Sequence, residues 1–306
     1  MTTSFTVGIP LYNRRHCIGR AVESALQQDH PPLEVIVVDD GSTDGSGDLV
    51  DAIAARDPRV RCIRQANAGS GVARNRVLAE ARGDWVAFLD SDDRWLPNKL
   101  ANAAALAEAD PDIEFIHSNC AHLWSDGTRD YGRVRPSPAA LVDPVHLLET
   151  WLIKTSTLAV RRSLLARLAP DWFKPLWMCQ DYEFMWRALV VARKIGYAET
   201  LDSEIFVTAG SRSREADLSV HLRCDIEAMR LAGDWMRRRG GLGQYAAQLD
   251  ARRYRTYQRL MAHECRQGAR GALKVARECL GDLPTARAVR AVVSGALASR
   301  GPDPLL

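Results

Sequence analysis

The chain has 306 residues, 46% of them hydrophobic and 26% charged, with a formal net charge of +3. That length buries one large α/β domain with an appendage, or two smaller domains, and no apolar run approaches the roughly 18 to 20 residues that a spanning helix needs. Seven cysteines, odd in number and never spaced as C-x-x-C, argue against a zinc site or a disulfide framework and for a reducing compartment.

Met1 leads through a polar Thr2-Thr3-Ser4 directly into apolar sequence, with neither a basic nor a long apolar leader, so no signal peptide is expected. Residues 5–9 form a β-rich run closed by Pro10, with Leu11-Tyr12-Asn13 as a turn. Ile18, Ala21, Val22, Ala25 and Leu26 recur at helical spacing, and Pro31-Pro32 stops that helix. Residues 33–38 read as a second buried strand that ends in Asp39-Asp40-Gly41-Ser42-Thr43-Asp44-Gly45, a sharp turn into a helix carrying Leu49, Val50 and Ile53. A short third strand over 60–63 precedes Asn67-Ala68-Gly69-Ser70-Gly71, where two glycines open a helix with Arg74 one turn in, an arrangement suited to an anion. Gly83 is expected to end that helix as a C′ residue.

The fourth strand, Trp85-Val86-Ala87-Phe88-Leu89, runs straight into Asp90-Ser91-Asp92-Asp93. Open α/β sheets place their ligands at the carboxyl ends of strands. Three acids in four positions repel one another, and a hard divalent cation such as Mg²⁺ or Mn²⁺, with the phosphates of a nucleotide, relieves that repulsion. Taken alone, Asp-Ser-Asp also fits a turn or a helix cap. The first 93 residues thus alternate β-α-β-α-β-α-β, which implies an α/β fold on a parallel, right-handed doubly wound sheet.

Downstream, a helix is expected from Leu96-Pro97 through Ala109 and a strand over 113–118. Residues 119–144 are too irregular to assign, and 151–160 fit strand or helix. Residues 161–168 look helical, and Gln180-Asp181-Tyr182-Glu183 opens a helix with Phe184, Met185, Leu189 and Val190 on its apolar face; an acid in that first turn also reads as a cap. Several helices are expected from 215 to 299. Residues 215–306 hold 16 lysines and arginines against 10 aspartates and glutamates, so the tail is basic and the body slightly acidic.

The ordered set Gly8-Ile9-Pro10-Leu11-Tyr12-Asn13, Val35 to Asp44, Asn67-Ala68-Gly69 with Ala73-Arg74-Asn75, and Phe88 to Asp93 with Trp95-Leu96-Pro97 resembles the family 2 glycosyltransferases of GT-A fold. The resemblance is dense over residues 5–100. It implies a GT-A domain over 1–214, with a nucleotide-binding half to 118 and an acceptor half over 119–214, and a helical region over 215–306. It also implies an inverting, Mn²⁺- or Mg²⁺-dependent enzyme that moves a sugar from a nucleoside diphosphate, UDP being the commonest, to a glycan or lipid-linked acceptor in surface polysaccharide synthesis. By position, Pro10, Tyr12 and Asn13 would flank the base and Asp40 would accept from its imide N–H. Arg74 would sit near the nucleotide, and Asp90, Ser91 and Asp92 would serve ribose and metal, with Asp92 the direct ligand of the DXD-type motif.

The family's catalytic base follows the metal cluster by about 90 residues, usually as Glu-Asp opening a helix; Gln180-Asp181 is similar, with Gln in place of Glu. Ser211-Arg212-Ser213-Arg214 falls where the family holds the diphosphate. The setting implied is cytoplasmic, peripheral at the inner membrane face if Arg237-Arg238-Arg239 meets anionic lipid, with no nucleic-acid partner. His117, His122 and His146 share no metal spacing. Trp151, Trp172, Trp177 and Trp186 are expected in core packing, and Trp172 and Trp177, which precede Asp181, are the exceptions that could stack on a sugar. A sugar nucleotidyltransferase would need a Gly-rich first loop with a basic residue, which Pro10-Leu11-Tyr12-Asn13 lacks. An inactive binding module would have lost acids that are present here.

Overall fold

A computed structural model of the chain describes residues 3–130, 137, 139–150, 153–207 and 217–299. The chain divides into two compact units, Met1–Pro175 with Phe184–Thr208, and Leu176–Glu183 with Ala209–Leu306.

The first unit is built on one sheet. Its strands among the described residues are β1 (Phe5–Leu11), β2 (Glu34–Asp39), β3 (Val60–Arg64), β4 (Trp85–Phe88), β5 (Arg94–Trp95), β6 (Ile113–Trp124), β7 (Arg129–Asp130), β8 (Ala159–Arg161) and β9 (Lys194–Val207). Their order is β3-β2-β1-β4-β8-β6-β9-β5, with β7 on β6. The first four strands pair in parallel, linked through α1 (Ile18–Leu26), α2 (Ser46–Ala54) and α3 (Ser70–Glu80). β1, β2 and β4 are buried at every position, which is why they read as unbroken apolar runs rather than alternating ones.

Beyond β4 the sheet is mixed. β8 runs antiparallel to both β4 and β6, β9 runs parallel to β6, and β5 runs antiparallel to β9. The doubly wound pattern therefore holds for the first half, and the second half adds strands that local periodicity did not mark. β6 extends through Trp124 because β9 pairs along it, with register shifts around Ser118, Asn119 and Cys120 that interrupt its alternation. Helices α4 (Lys99–Ala109), α5 (Pro144–Thr150), α6 (Arg162–Leu168) and α7 (Gln180–Val191) complete the order.

Two local expectations are corrected. β1 continues through Pro10 to Leu11 instead of stopping at residue 9. Ser4 and Gly8 turn their carbonyls toward Trp85 and Leu89, so the missing N–H of Pro10 falls on the same side, beyond the last β4 partner, Phe88, and no ladder bond is lost. Gly83 is not a helix cap: α3 ends at Glu80, with Ala81 already extended. A Cβ on Gly83 would lie 2.5 Å from the Thr6 nitrogen, so glycine is required there by close approach to β1.

In the second unit, α8 (Leu218–Arg238), α9 (Gly243–Gln267), α10 (Ala269–Asp282) and α11 (Thr285–Ala298) pack around Leu222, Ile226, Met229, Leu249, Leu260 and Met261. Asp217 caps α8 by accepting from the Ser219 N–H at 2.6 Å. Arg237 is ion-paired with Asp234 and Asp250, and the Arg239 guanidinium lies 4.3 Å over the Trp235 ring. Within the run it is Arg237 that acids of the same unit neutralise. No helix among the described residues is long and apolar enough to cross a membrane.

One buried carboxylate ties β6 to the helices behind it. Glu114 is fully buried and accepts from Arg167 Nη1 at 2.9 Å, from the Arg193 N–H at 3.0 Å and from Ser163. Burial pushes its carboxyl up, but Arg167 and the Arg193 N–H outweigh it and bring it down to about 2. A carboxyl depressed in the folded state stabilises fully above its ordinary value near 4.5, and that contribution fades as pH falls toward 2. Urea unfolding of Glu114→Gln across that range should show a loss of about 3 kcal/mol at neutral pH that shrinks to a small residue near pH 2.

Candidate active site

The carboxyl ends of β1, β2 and β4 and the amino end of α3 carry the residues singled out in the sequence. Tyr12 is exposed, and Asn13 adopts φ 50°, a left-handed turn that Asn tolerates. The turn is knitted to the loop after β2: the Asn13 N–H donates to Ser42 Oγ at 2.9 Å, the Thr43 N–H donates to Asn13 Oδ1 at 2.8 Å, and the Arg14 N–H donates to Ser46 Oγ at 2.9 Å. Asp39 accepts from the Ser42 N–H at 2.9 Å, and a Cβ on Gly47 would fall 2.2 Å from Asp39 Oδ2.

Asp40 is buried, and its carboxylate closes the loop before α3. Oδ1 accepts from Gln65 Nε2 at 2.8 Å and the Ala68 N–H at 2.9 Å, and Oδ2 accepts from the Gly69 N–H at 2.8 Å. Three of its roughly four acceptor positions are thus taken, leaving one on Oδ2.

Arg74 projects from α3 and is buried. Nη2 donates to Asp90 Oδ1 at 2.6 Å, while Nε and Nη1 are buried with no hydrogen-bond partner among the described residues. A guanidinium carries five donors in a fixed fork, so this one is prepared to hold a further acceptor. Asn75 next to it clamps the Phe173 backbone through both groups, at 2.9 and 2.8 Å, and the Phe173 ring lies 5.6 Å from the Arg74 guanidinium.

The acid loop is pinned from the antiparallel half of the sheet. Ser156, fully buried in a 3-10 turn before β8, accepts the Asp90 N–H at 3.1 Å and donates to Asp93 Oδ2 at 2.5 Å. Its carbonyl accepts from Trp95 Nε1 at 2.7 Å and Ser203 Oγ at 3.1 Å. Lys99, also buried, holds the neighbouring Thr157 carbonyl and Ser118 Oγ, each at 2.7 Å. Asp93 accepts from the Phe206 N–H at 3.1 Å as well, so it faces inward as a structural acid. Ser91 is buried, while the side chains of Asp90 and Asp92 are about a third exposed.

Among the described residues Asp92 has one ion-pair partner, the Arg14 guanidinium at 3.6 Å, and Arg20 Nη2 takes its carbonyl at 2.6 Å. Burial and then the Asp90 charge push Asp92 above the usual carboxylate range, and burial with Asp90 and Asp92 pushes Asp93 well above it. Among the described residues no group of three or more metal-ligating side chains is assembled. Two accessible carboxylates fit a Mg²⁺ or Mn²⁺ ion that keeps waters and is completed by substrate phosphates, which is how these ions are commonly bound; they do not form an all-protein cage.

Asp181 lies in the first turn of α7 and its Oδ1 accepts the Tyr182 N–H at 3.0 Å; it belongs to the second unit. Ser211-Arg212-Ser213-Arg214 lies outside the described residues. Trp177 is exposed, whereas Trp172 donates from Nε1 to the Leu165 carbonyl at 2.9 Å. His117 is buried, with Nε2 2.6 Å from the Leu141 carbonyl, and burial pushes it down to about 4, so it is a neutral core residue. Ser156, Asp93 and Asn75 are the structural participants that sequence reasoning did not assign. Only the hydroxyl-rich Thr155-Ser156-Thr157 run could have flagged the first.

The mixed sheet with its flanking helices has the GT-A fold, which solved structures share. Residues 6–150 match the model of glycosyl transferase family 2. An uncharacterized glycosyltransferase of Nostoc sp. is 34% identical over 170 residues, 54% of this chain and 53% of that protein. A UDP-Glc:alpha-D-GlcNAc-diphosphoundecaprenol beta-1,3-glucosyltransferase of Escherichia coli is 39% identical over 112 residues, 36% of this chain and 43% of that protein. The chain thus spans about half or less of these relatives. Among solved structures, S. aureus TarS 1-349 in complex with UDP-GlcNAc superposes with a TM-score of 0.76 at 19% identity, covering 97% of this chain and 92% of that one. A mannosyltransferase from Pyrobaculum calidifontis in complex with GDP-Man and Mn²⁺ superposes with a TM-score of 0.61 at 20% identity, covering 98% and 88%.

Removing the Ser156 hydroxyl orphans the Asp90 N–H and an Asp93 oxygen. Ser156→Ala should lower unfolding free energy by about 1 to 3 kcal/mol, read by denaturant titration.

Proposed function

We propose that the chain is a metal-dependent inverting glycosyltransferase that moves a sugar from a nucleoside diphosphate, UDP in the first instance, to a hydroxyl of a glycan or lipid-linked acceptor in surface polysaccharide synthesis. The observation that carries it is Asp92 at the strand end, whose one cation among the described residues is 3.6 Å away, beside Asp90 and the buried Arg74 that pairs with it and has two nitrogens unmet among those residues. An anionic diphosphate with its cation answers both needs. The relatives named for sugar transfer and the structures holding UDP-GlcNAc or GDP-Man with Mn²⁺ support the same chemistry. The free cysteines, seven in all, fit a reducing compartment such as the cytoplasm.

In this reading Asp92, with Asp90, holds the ion, which when bound neutralises charge on the departing diphosphate as a Lewis acid. Arg74 turns its unmet donors to the diphosphate while Nη2 keeps Asp90 in place. Asp40 uses its remaining Oδ2 position for the imide N–H of the base, beside Pro10, Tyr12 and Asn13, and Ser91 lies by the ribose. Asp181 takes the acceptor hydroxyl proton as the acceptor oxygen forms its bond to the anomeric carbon and the bond from that carbon to the diphosphate oxygen breaks. A single displacement of this kind inverts the anomeric centre.

Two measurements test this. A thermal-shift screen of nucleoside diphosphate sugars with Mn²⁺ should raise the melting temperature for one donor class, since ligands that bind the native state stabilise it, and Asp92→Asn should abolish the Mn²⁺-dependent part. Asp181→Asn should lower transfer by about 10² to 10⁴ with donor affinity unchanged; wild-type turnover in that variant would exclude Asp181 as the base.

A further inference from the structure

Ten large apolar side chains are exposed among the described residues, and five of them, Leu273, Leu280, Val289, Val293 and Leu297, fall in α10 and α11. In α11 the three lie four residues apart, which places them on one stripe, and each is more than half exposed. The opposite side of that helix faces the core: Ala288 and Ala291 are fully buried, and a Cβ on Gly295 would lie 2.6 Å from the Gln258 carbonyl of α9. A helix pressed inward by Gly295 therefore turns Val289, Val293 and Leu297 outward.

Cations border this stripe. Arg287 and Arg290 of α11 and Arg255 of α9 line a groove of about 360 Å³ together with Tyr254. None of the three has a carboxylate partner among the described residues, whereas Arg223, Arg230, Arg237 and Arg253 in the same unit are all ion-paired. We infer that α11, with the α9–α11 arginine groove, is a docking surface for an anionic membrane: the apolar stripe enters the headgroup boundary and the arginines meet lipid phosphates.

The combination selects this occupant. A helix with apolar residues on its outer face and cations beside them matches the interfacial type that lies in the membrane plane, and unpaired arginines are drawn to anionic lipid. A second copy of the chain meeting the same face would bring its own unpaired arginines against these. A free phosphate would make no use of the stripe.

Flotation of the full chain with vesicles of equal phosphatidylglycerol and phosphatidylcholine, without nucleotide, tests the inference; with no donor present, its failure leaves the transfer chemistry untouched. The chain should float with these vesicles, stay in solution with pure phosphatidylcholine, and be released by high salt. The triple variant Arg255→Gln, Arg287→Gln, Arg290→Gln should lower partitioning on the order of a hundredfold, and Val293→Ser with Leu297→Ser should also lower it, both keeping the wild-type melting temperature. Absence of flotation, equal flotation on both vesicle types, or flotation indifferent to both variants would overturn the inference. So would a dimer in gel filtration that both variants dissociate, which would assign the face to a second copy.

Discussion

Repulsion between carboxylates is the constraint around which the first unit is arranged. Asp90, Asp92 and Asp93 stand within four residues at the end of β4, and the fold separates their tasks instead of neutralising all three. Asp93 is turned inward to Ser156 and the Phe206 N–H, Asp90 is tied to Arg74, and Asp92 keeps a single distant cation among the described residues. A loop that sheds one acid into the core holds the other two at the surface without collapse. The strength of this arrangement comes from backbone partners, since the Asp90 N–H, the Ser156 carbonyl and the Thr157 carbonyl are all satisfied by buried side chains.

The parallel half of the sheet is locked by the same means. Asp40 spends three acceptor positions on the loop before α3, and residues 13–15 are hydrogen-bonded to the loop after β2. Sites of this kind need their groups held before the ligand arrives, because ordering them at binding would cost affinity. Arg74 expresses that cost locally: two of its nitrogens are buried and unmet among the described residues, a state that burial makes expensive until an acceptor fills it.

Much of this was legible in the residues. The parallel half announced itself because both faces of β1, β2 and β4 are covered, which leaves continuous apolar runs closed by Asp and Gly turns. The acid loop, Arg74 and Asp40 followed from their places at strand ends and a helix start. What local pattern could not carry was pairing at long range. β9 and the extension of β6 support each other through register shifts that break alternation, and Ser156 reaches Asp90 only because β8 returns antiparallel beside β4. Gly83 looked like a helix end because its neighbours did, while its true constraint is the backbone of Thr6, far away in sequence. In the helical unit, basic composition drew attention to Arg237-Arg238-Arg239, yet ion pairing within the unit occupies Arg237 and, among the described residues, leaves Arg255, Arg287 and Arg290 without acids.

The central claim is that two carboxylates form half of a cation site and a diphosphate forms the rest. Electron paramagnetic resonance of Mn²⁺ titrated into the protein tests it directly. The account predicts weak Mn²⁺ binding by the protein alone and tight binding once UDP or another matching nucleoside diphosphate is present. Mn²⁺ bound equally tightly with and without nucleotide, or left free in the presence of every nucleoside diphosphate, would contradict it.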